Sequence, residues 1–254
     1  MSFQDIVVAS ANGVQTITIN RPKKLNAIRG ETIDELEAAF KQSAADRNVG
    51  VLVLTGEGER AFCAGGDIEW ENAGGMKSLD WQLGNLILDC PKPVIARVNG
   101  YAIGAGNHIA YCCDFTIAAE HSIFGQNGPR VGSPAGGYPV AHVAGIIGHK
   151  RARELWMLCR RYTATQMLEW GLVNSVVPKE KLDEEVARWC DELLQMSPTS
   201  LKTIKYSFGK IVDRTGIMEV IDTVAPNFFE TGEQEEGTSA FLEKRKPDFS
   251  PWRA

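Results

Sequence analysis

Short, uninterrupted apolar runs alternate with helical periodicity along this chain, and that alternation narrows the fold to an α/β architecture. Val49 to Thr55 and Val94 to Val98 are apolar at nearly every position, the second entered through the rigid Pro91-Lys92-Pro93. A strand solvated on one face alternates polar and apolar residues, whereas a continuous apolar run fits a parallel strand buried on both faces. Phe115 to Ala119 and Leu172 to Val177 add two further candidates. Val14 to Asn20 alternates Val, Thr and Ile until Arg21-Pro22 stops the ladder. Thr32 to Ala45 carries Ile33, Leu36, Ala39 and Phe40 at helical spacing, with Thr32 or Asp34 suited to its start.

From Arg151 the pattern turns helical. Ala152 to Leu158, Thr165 to Trp170, Lys181 to Gln195, Pro198 to Lys210 and Thr231 to Lys246 are the expected helices. Ser197 suits an N-cap, because Pro198 then occupies the first helical position, where its missing N–H costs nothing. No stretch rich in proline or serine separates two independent domains, so we expect residues 1–195 to form the core and residues 196–254 a helical region packed on it or on a neighbouring subunit. Ala61 to Trp81 is richer in glycine and polar residues and reads as an active-site loop.

Two glycine-rich stretches carry the functional signal: Cys63-Ala64-Gly65-Gly66-Asp67 and Gly104-Ala105-Gly106-Asn107-His108. Each follows an apolar strand-like run and opens a helix. A backbone N–H approaches a developing oxyanion only where side chains are small, and a helix N-terminus behind it adds a favourable dipole. The pair therefore reads as an oxyanion hole for an enolate.

Composition excludes other classes. A formal charge of −5 leaves no concentrated basic surface for nucleic acid. Lys150, Arg151 and Arg153 form one small cluster and Lys244, Arg245 and Lys246 another, of which the second is the better match to a phosphorylated cofactor. Six cysteines show neither zinc-ligand spacing nor the density of a disulfide scaffold, so no metal is expected and the thiols read as reduced and buried. Met1-Ser2-Phe3-Gln4-Asp5 does not resemble a signal peptide, and no apolar run approaches the roughly 20 residues that cross a bilayer. The expected location is the cytoplasm, without membrane contact.

The order and spacing of several motifs resemble the crotonase, or enoyl-CoA hydratase/isomerase, superfamily over essentially the whole chain. These are Asn20-Arg21-Pro22 with Asn26-Ala27, Ala61 through Asp67, Pro91 through Ala96, Gly100 through Gly104, Phe124-Gly125-Gln126, and Phe241 through Phe249. The resemblance implies a crotonase-like spiral of β-β-α units with a C-terminal helical region, a homotrimer or dimer of trimers, and acyl-CoA thioester substrates. It assigns the oxyanion hole to the N–H groups of Gly66 and Ala105. Coenzyme A, bound as part of the substrate with no tightly held cofactor, is implied near Lys24, Leu25, Ala27, Ala64, Asp67 and Ile68. Phe241 and Lys244 match positions that reach it from an adjacent subunit, although Lys244 reads equally as a surface lysine. Within the superfamily the closest likeness is to the branch with 1,4-dihydroxy-2-naphthoyl-CoA synthase and 2-ketocyclohexanecarboxyl-CoA hydrolase. Phe124 through Ser133, Gly136-Gly137-Tyr138 and Arg151 through Trp156 carry it.

The family's acid–base groups are replaced. A simple hydratase uses two glutamates, where this chain has His108 and Gly128. The synthase and ring-opening hydrolase carry an aspartate and a tyrosine where this chain has Ala135 and Phe229, neither able to move a proton. His108 remains as the candidate base, against the alternative of a buried histidine bonded to a carbonyl. Glu69 and Glu230 are secondary candidates to orient it or activate water, and exposed helix carboxylates usually do neither. Gln126 and Gly128 match a pocket that can hold bicarbonate in the synthase branch. Trp70 and Trp81 are candidates for the acyl pocket. His121, His142 and His149 read as loop or surface residues. The expected activity is ring-opening C–C hydrolysis of a cyclic β-keto acyl-CoA by a crotonase-type enzyme. Hydration of an unsaturated, alicyclic acyl-CoA is the alternative, and a non-catalytic acyl-CoA-binding subunit is the rival of another class.

Overall fold

The computed structural model describes residues 3–75, 83–134, 137–209, 226–248 and 251. Its strands are β1 (Ile6–Ala11), β2 (Val14–Ile19), β3 (Val51–Gly56), β4 (Ala61–Cys63), β5 (Val94–Val98), β6 (Tyr101–Ile103), β7 (Phe115–Ala119), β8 (Ile123–Gly125), β9 (Arg161–Thr163) and β10 (Ser175–Val177). The helices are α1 (Gly30–Ala45), α2 (Ile68–Asn72), α3 (Leu83–Asp89), α4 (Ala105–Cys112), α5 (Tyr138–Ile147), α6 (His149–Leu158), α7 (Ala164–Trp170), α8 (Leu182–Leu194), α9 (Pro198–Gly209) and a last one, Glu233–Leu242.

One sheet runs β1-β2-β3-β5-β7-β10 and a second β4-β6-β8-β9. Successive β-β-α units, β3-β4-α2, β5-β6-α4 and β7-β8-α5, each give one strand to each sheet before a helix returns the chain. All neighbours in the first sheet are parallel except the β1-β2 hairpin. That hairpin turns at Asn12 and Gly13, both at positive φ, which matches the right-handed twist of paired strands.

The uninterrupted apolar runs have a direct cause. Leu52, Leu54, Val94, Ala96, Val98 and Ala118 face the main core with Ile33, Leu36 and Phe40 of α1. Val51, Val53, Ile95, Ile117 and Ala119 face the opposite side, where α8 covers them with Leu182, Val186 and Cys190 at i, i+4 and i+8. All six cysteines are buried free thiols, and burial pushes the Cys63 thiol up to about 12.

Several boundaries differ from expectation. The run from Leu172 is a strand only from Ser175. Gly171, left-handed at φ 82°, ends α7, and the N–H groups of Leu172 and Val173 bond back to Met167 O. Thr32 is the third helical residue of α1, not its cap: Arg29 holds the cap position and donates its N–H to Thr32 Oγ1 at 3.2 Å. Ser197 precedes α9 and accepts from Ser200 N at 3.4 Å. The last helix is shorter at both ends than the periodicity suggests.

The C-terminal elements meet this chain's own core. Lys205 of α9 reaches Asp114 at 2.6 Å, and the same carboxylate oxygen accepts Val94 N at 2.8 Å. Thr238 of the last helix donates to Asn72 Oδ1 of α2 at 2.8 Å.

Close approach of α4 to β4 depends on Gly106, since a methyl there would fall on the Cys63 carbonyl. Gly106→Ala is therefore expected to cost about 1–3 kcal/mol. Urea unfolding checks this, the midpoint falling with the slope unchanged.

Candidate active site

Strands β4 and β6 are parallel neighbours, Ala61 pairing with Tyr101 and Cys63 with Ala102, so the loops that follow them emerge side by side. Gly65, at φ 112°, holds a conformation strained for any L side chain, and a Cβ there would press on Ile103 O at 3.2 Å. The segment from Lys24 to Ile28 zips along the first loop, with Ala64 N bonding Leu25 O at 3.1 Å, Ile28 N bonding Gly65 O at 2.9 Å and Asp67 N bonding Ile28 O at 2.7 Å. In such a parallel bridge the bonds run to the residues flanking Gly66, so the Gly66 N–H points the other way. Ala105 opens α4, where an N–H has no partner within the helix. The two segments thus border one cavity. Gly66 and Ala105 line it, as do Ala64, Ile68, Trp70, His108, Gln126, Gly128, Trp156 and Phe241.

Buried polar bonds hold the turn before this site. Asn26 accepts Arg21 N at 3.0 Å and donates to Ala61 O at 2.7 Å, fixing the turn to the start of β4. Asp67 caps α2 through Glu69 N at 3.1 Å and takes the Arg21 guanidinium at 2.8 Å. Burial works against the Asp67 carboxylate, but Arg21 and the helix amides hold it below the usual range.

Helix α2 decides which carboxylate reaches the cavity. At 100° per residue Ile68 and Glu71 share a face, and both line the cavity. Glu69 lies on another face, 70% exposed and paired with Lys24 at 2.8 Å. Glu71 was not a candidate from sequence, yet it is the carboxyl at the site. It is only 8% exposed, and its Oε1 occupies the space a methyl on Gly66 would need. Burial, with the nearby Asp67 charge, pushes its carboxyl up to about 7. Its i+3 spacing from Ile68 was the available signal.

His108 sits across the same cavity. Its ring centroid lies 4.9 Å from that of Trp156 and 5.7 Å from that of Tyr111. Burial drives its pKa down to about 4, against a smaller opposing contribution from the Gln126 side chain. At neutral pH the imidazole is uncharged. Burial thus favours the neutral form of both titratable groups lining the cavity, raising the carboxyl and lowering the imidazole.

The other expected site residues are placed as follows. Glu230 is exposed and borders a separate polar cleft, which Glu71 reaches from the other side of α2. Both Glu69 and Glu230 therefore stand outside the cavity, a correction to their expected access to His108, caused by helix phase for the first and by the α2 wall for the second. Leu25, Ala27 and Asp67 back the first loop without lining the cavity. Phe241 is half-exposed at the cavity wall, whereas Lys244 is exposed beyond the helix end. Trp70 lines the cavity; Trp81, Ala135 and Gly136 lie outside the described residues. His121 Nε2 lies 3.2 Å from both Glu59 O and Asn99 O.

Bicarbonate does not fit the donor set around Gln126 and Gly128. No Lys or Arg is among the described lining residues, His108 is neutral and Glu71 shares the space. Among the described residues no group of three His, Cys, Asp or Glu side chains is placed to hold a metal. No described helix is long and apolar enough to cross a membrane.

A family model described as enoyl-CoA hydratase/isomerase matches residues 9–251. Among solved structures, an enoyl-CoA hydratase from Mycobacterium avium subsp. paratuberculosis is 28% identical with a TM-score of 0.81, covering 98% of this chain and 100% of that one. An enoyl-CoA hydratase subunit from Geobacillus kaustophilus is 33% identical with a TM-score of 0.75, covering 98% of each chain. A methylmalonyl-CoA decarboxylase complexed with 2S-carboxypropyl-CoA is 27% identical with a TM-score of 0.88, covering 98% of this chain and 99% of that one.

Proposed function

The chain belongs to the enoyl-CoA hydratase/isomerase, or crotonase, family and is an acyl-CoA enzyme of it, and from that premise we propose that it opens the ring of a cyclic β-keto acyl-CoA by C–C hydrolysis through a thioester enolate. The observation that carries this reading is the Glu71 carboxyl beside Gly66, across one cavity from a neutral His108.

The thioester carbonyl is held by the Gly66 and Ala105 N–H groups. His108 takes a proton from water as the water oxygen bonds to the ring ketone carbon. The bond from that carbon to the α-carbon then breaks, and its electron pair passes into the thioester as the enolate. Glu71, about half protonated at pH 7, gives its proton to the α-carbon in its neutral form. The imidazolium, a much stronger acid than Glu71, returns its proton to the Glu71 carboxylate directly or through water. The product is a single open-chain acyl-CoA with a carboxylic acid at the former ketone carbon, which loses its proton to solvent as the carboxylate.

The same groups support hydration of an alicyclic enoyl-CoA, with His108 activating water toward the β-carbon and Glu71 protonating the α-carbon. A non-catalytic acyl-CoA-binding subunit is the remaining alternative. The adenosine end of the cofactor is assigned to the turn from Lys24 to Ala27 with Ala64, Asp67 and Ile68. Phe241 borders this chain's own cavity, and Lys244 is assigned to a neighbouring site in a trimer or dimer of trimers. The exposed Ile204, Tyr206 and Phe208 of α9 support such assembly.

Mass-spectrometric turnover with cyclic β-keto and alicyclic enoyl-CoA thioesters tests the reading. Water gained with ring opening in the first panel is the expected result, with His108→Ala reduced about 10²-fold or more. Addition across the double bond alone would make the enzyme a hydratase, and binding without turnover in either panel would favour the binding subunit.

A further inference from the structure

Trp156 and Gln126 come to the cavity from different elements, α6 and the segment after β8, and the reaction proposed above uses neither. Both are buried, Trp156 at 6% exposure and Gln126 at 0%. Trp156 Nε1 has no hydrogen-bond acceptor among the described residues. The Gln126 carboxamide bonds to the His108 imidazole, and its amide N–H groups have no acceptor among those residues. Buried polar groups are normally paired, and an unpaired indole N–H beside an incompletely paired carboxamide in the wall of a single cavity points to a ligand atom that completes them.

We propose that Trp156 and Gln126 form a second polar pole in the acyl cavity, which selects thioesters carrying a neutral oxygen, oxo or hydroxyl, beyond the thioester carbonyl. This rests on the acyl-CoA reading above and narrows its substrate class. The indole N–H only donates, so the ligand atom it completes is an acceptor. The carboxamide offers both an acceptor and donors, so a hydroxyl is served as well as a ketone. Charge decides against a carboxylate. The described lining has no Lys or Arg, its imidazole is neutral and its acid is Glu71, so a carboxylate would lose its water without gaining a cation. An acyl group with no second oxygen leaves the indole N–H unpaired and the carboxamide incompletely paired, and sites built to bond a polar group discriminate strongly against analogues that lack it.

Calorimetric binding of acetoacetyl-, butyryl- and methylmalonyl-CoA tests the pole. Wild type is expected to bind acetoacetyl-CoA about 10-fold or more tighter than either of the others. Trp156→Phe keeps the ring and removes the N–H, and is expected to reduce that preference to about 2-fold with butyryl-CoA affinity unchanged. Gln126→Leu, on a separate element, is expected to reduce it as well. Equal wild-type affinity for acetoacetyl- and butyryl-CoA, or retention of the preference in both variants, overturns the pole and leaves the acyl-CoA reading standing. Tighter binding of methylmalonyl-CoA overturns the choice of a neutral oxygen. Failure to bind any of the three thioesters would overturn the acyl-CoA reading and the pole with it.

Discussion

Glu71→Gln is expected to lower kcat by about 10²–10⁴ and, at alkaline pH, to make the protein more stable than wild type. The two effects share one cause, a carboxyl kept in a place that suits its neutral form. With its pKa raised from 4.5 to about 7, Glu71 contributes most to stability below pH 4.5, and that contribution is lost as pH rises through 7. A shift of this size corresponds to about 3 kcal/mol, a penalty that the amide of E71Q never incurs. His108 slopes the other way. Lowered from 6.5 to about 4, it contributes fully above pH 6.5, and the contribution is lost as pH falls through 4. In wild type the two slopes oppose each other between pH 4.5 and 6.5. Urea titrations of E71Q from pH 4 to 9 should show stability rising to about pH 6.5 and then holding, while wild type declines through 7. A variant that keeps wild-type kcat, or that loses stability at pH 9, would remove Glu71 from the proton path.

Much of this architecture is legible in the chain, because burial on two faces leaves a signature a reader can find. Val94 to Val98 is apolar at every position but Arg97, since core residues cover one face and α8 the other, where Asp183 takes the Arg97 guanidinium at 2.7 Å. The second sheet leaves no comparable trace. Its strands, β4, β6, β8 and β9, are three residues each, too short for a period to register. Strand β1 was missed for a different reason: Asn12-Gly13, a strong hairpin signal, stands between two short runs and was passed over.

The site divides similarly. Gly66 and Ala105 stand out in the chain because close backbone approach requires small residues, and both line the cavity. Glu71 was not, since Glu69 and Glu71 are chemically identical and only the phase of a five-residue helix sends one to Lys24 and the other to the cavity. Trp156 stood inside a motif read for its resemblance, and its unpaired indole N–H became visible only in three dimensions.

Ala105→Pro is expected to reduce kcat by about 10²–10³ while leaving α4 folded, because the oxyanion donor and the helix start occupy the same residue. Proline fits the first helical position, where its missing N–H breaks no intrahelical bond. The residue before a proline is normally restricted by its Cβ, but Gly104 has none, and its φ of 56° and ψ of −121° mirror the extended conformation a proline favours before it. The substitution therefore removes one amide and places the ring Cδ where the thioester oxygen would sit. Helical circular dichroism and the urea midpoint should stay near wild type as turnover falls. Thr163, which caps α7 through Gln166 N at 3.2 Å and is not among the cavity's lining residues, offers a contrast: losing a cap there costs stability, typically about 1 kcal/mol. Full turnover in A105P with α4 intact would mean that the thioester oxygen is not held at the Ala105 amide. Loss of turnover with the fold unchanged is the result required if charge on that oxygen limits the reaction.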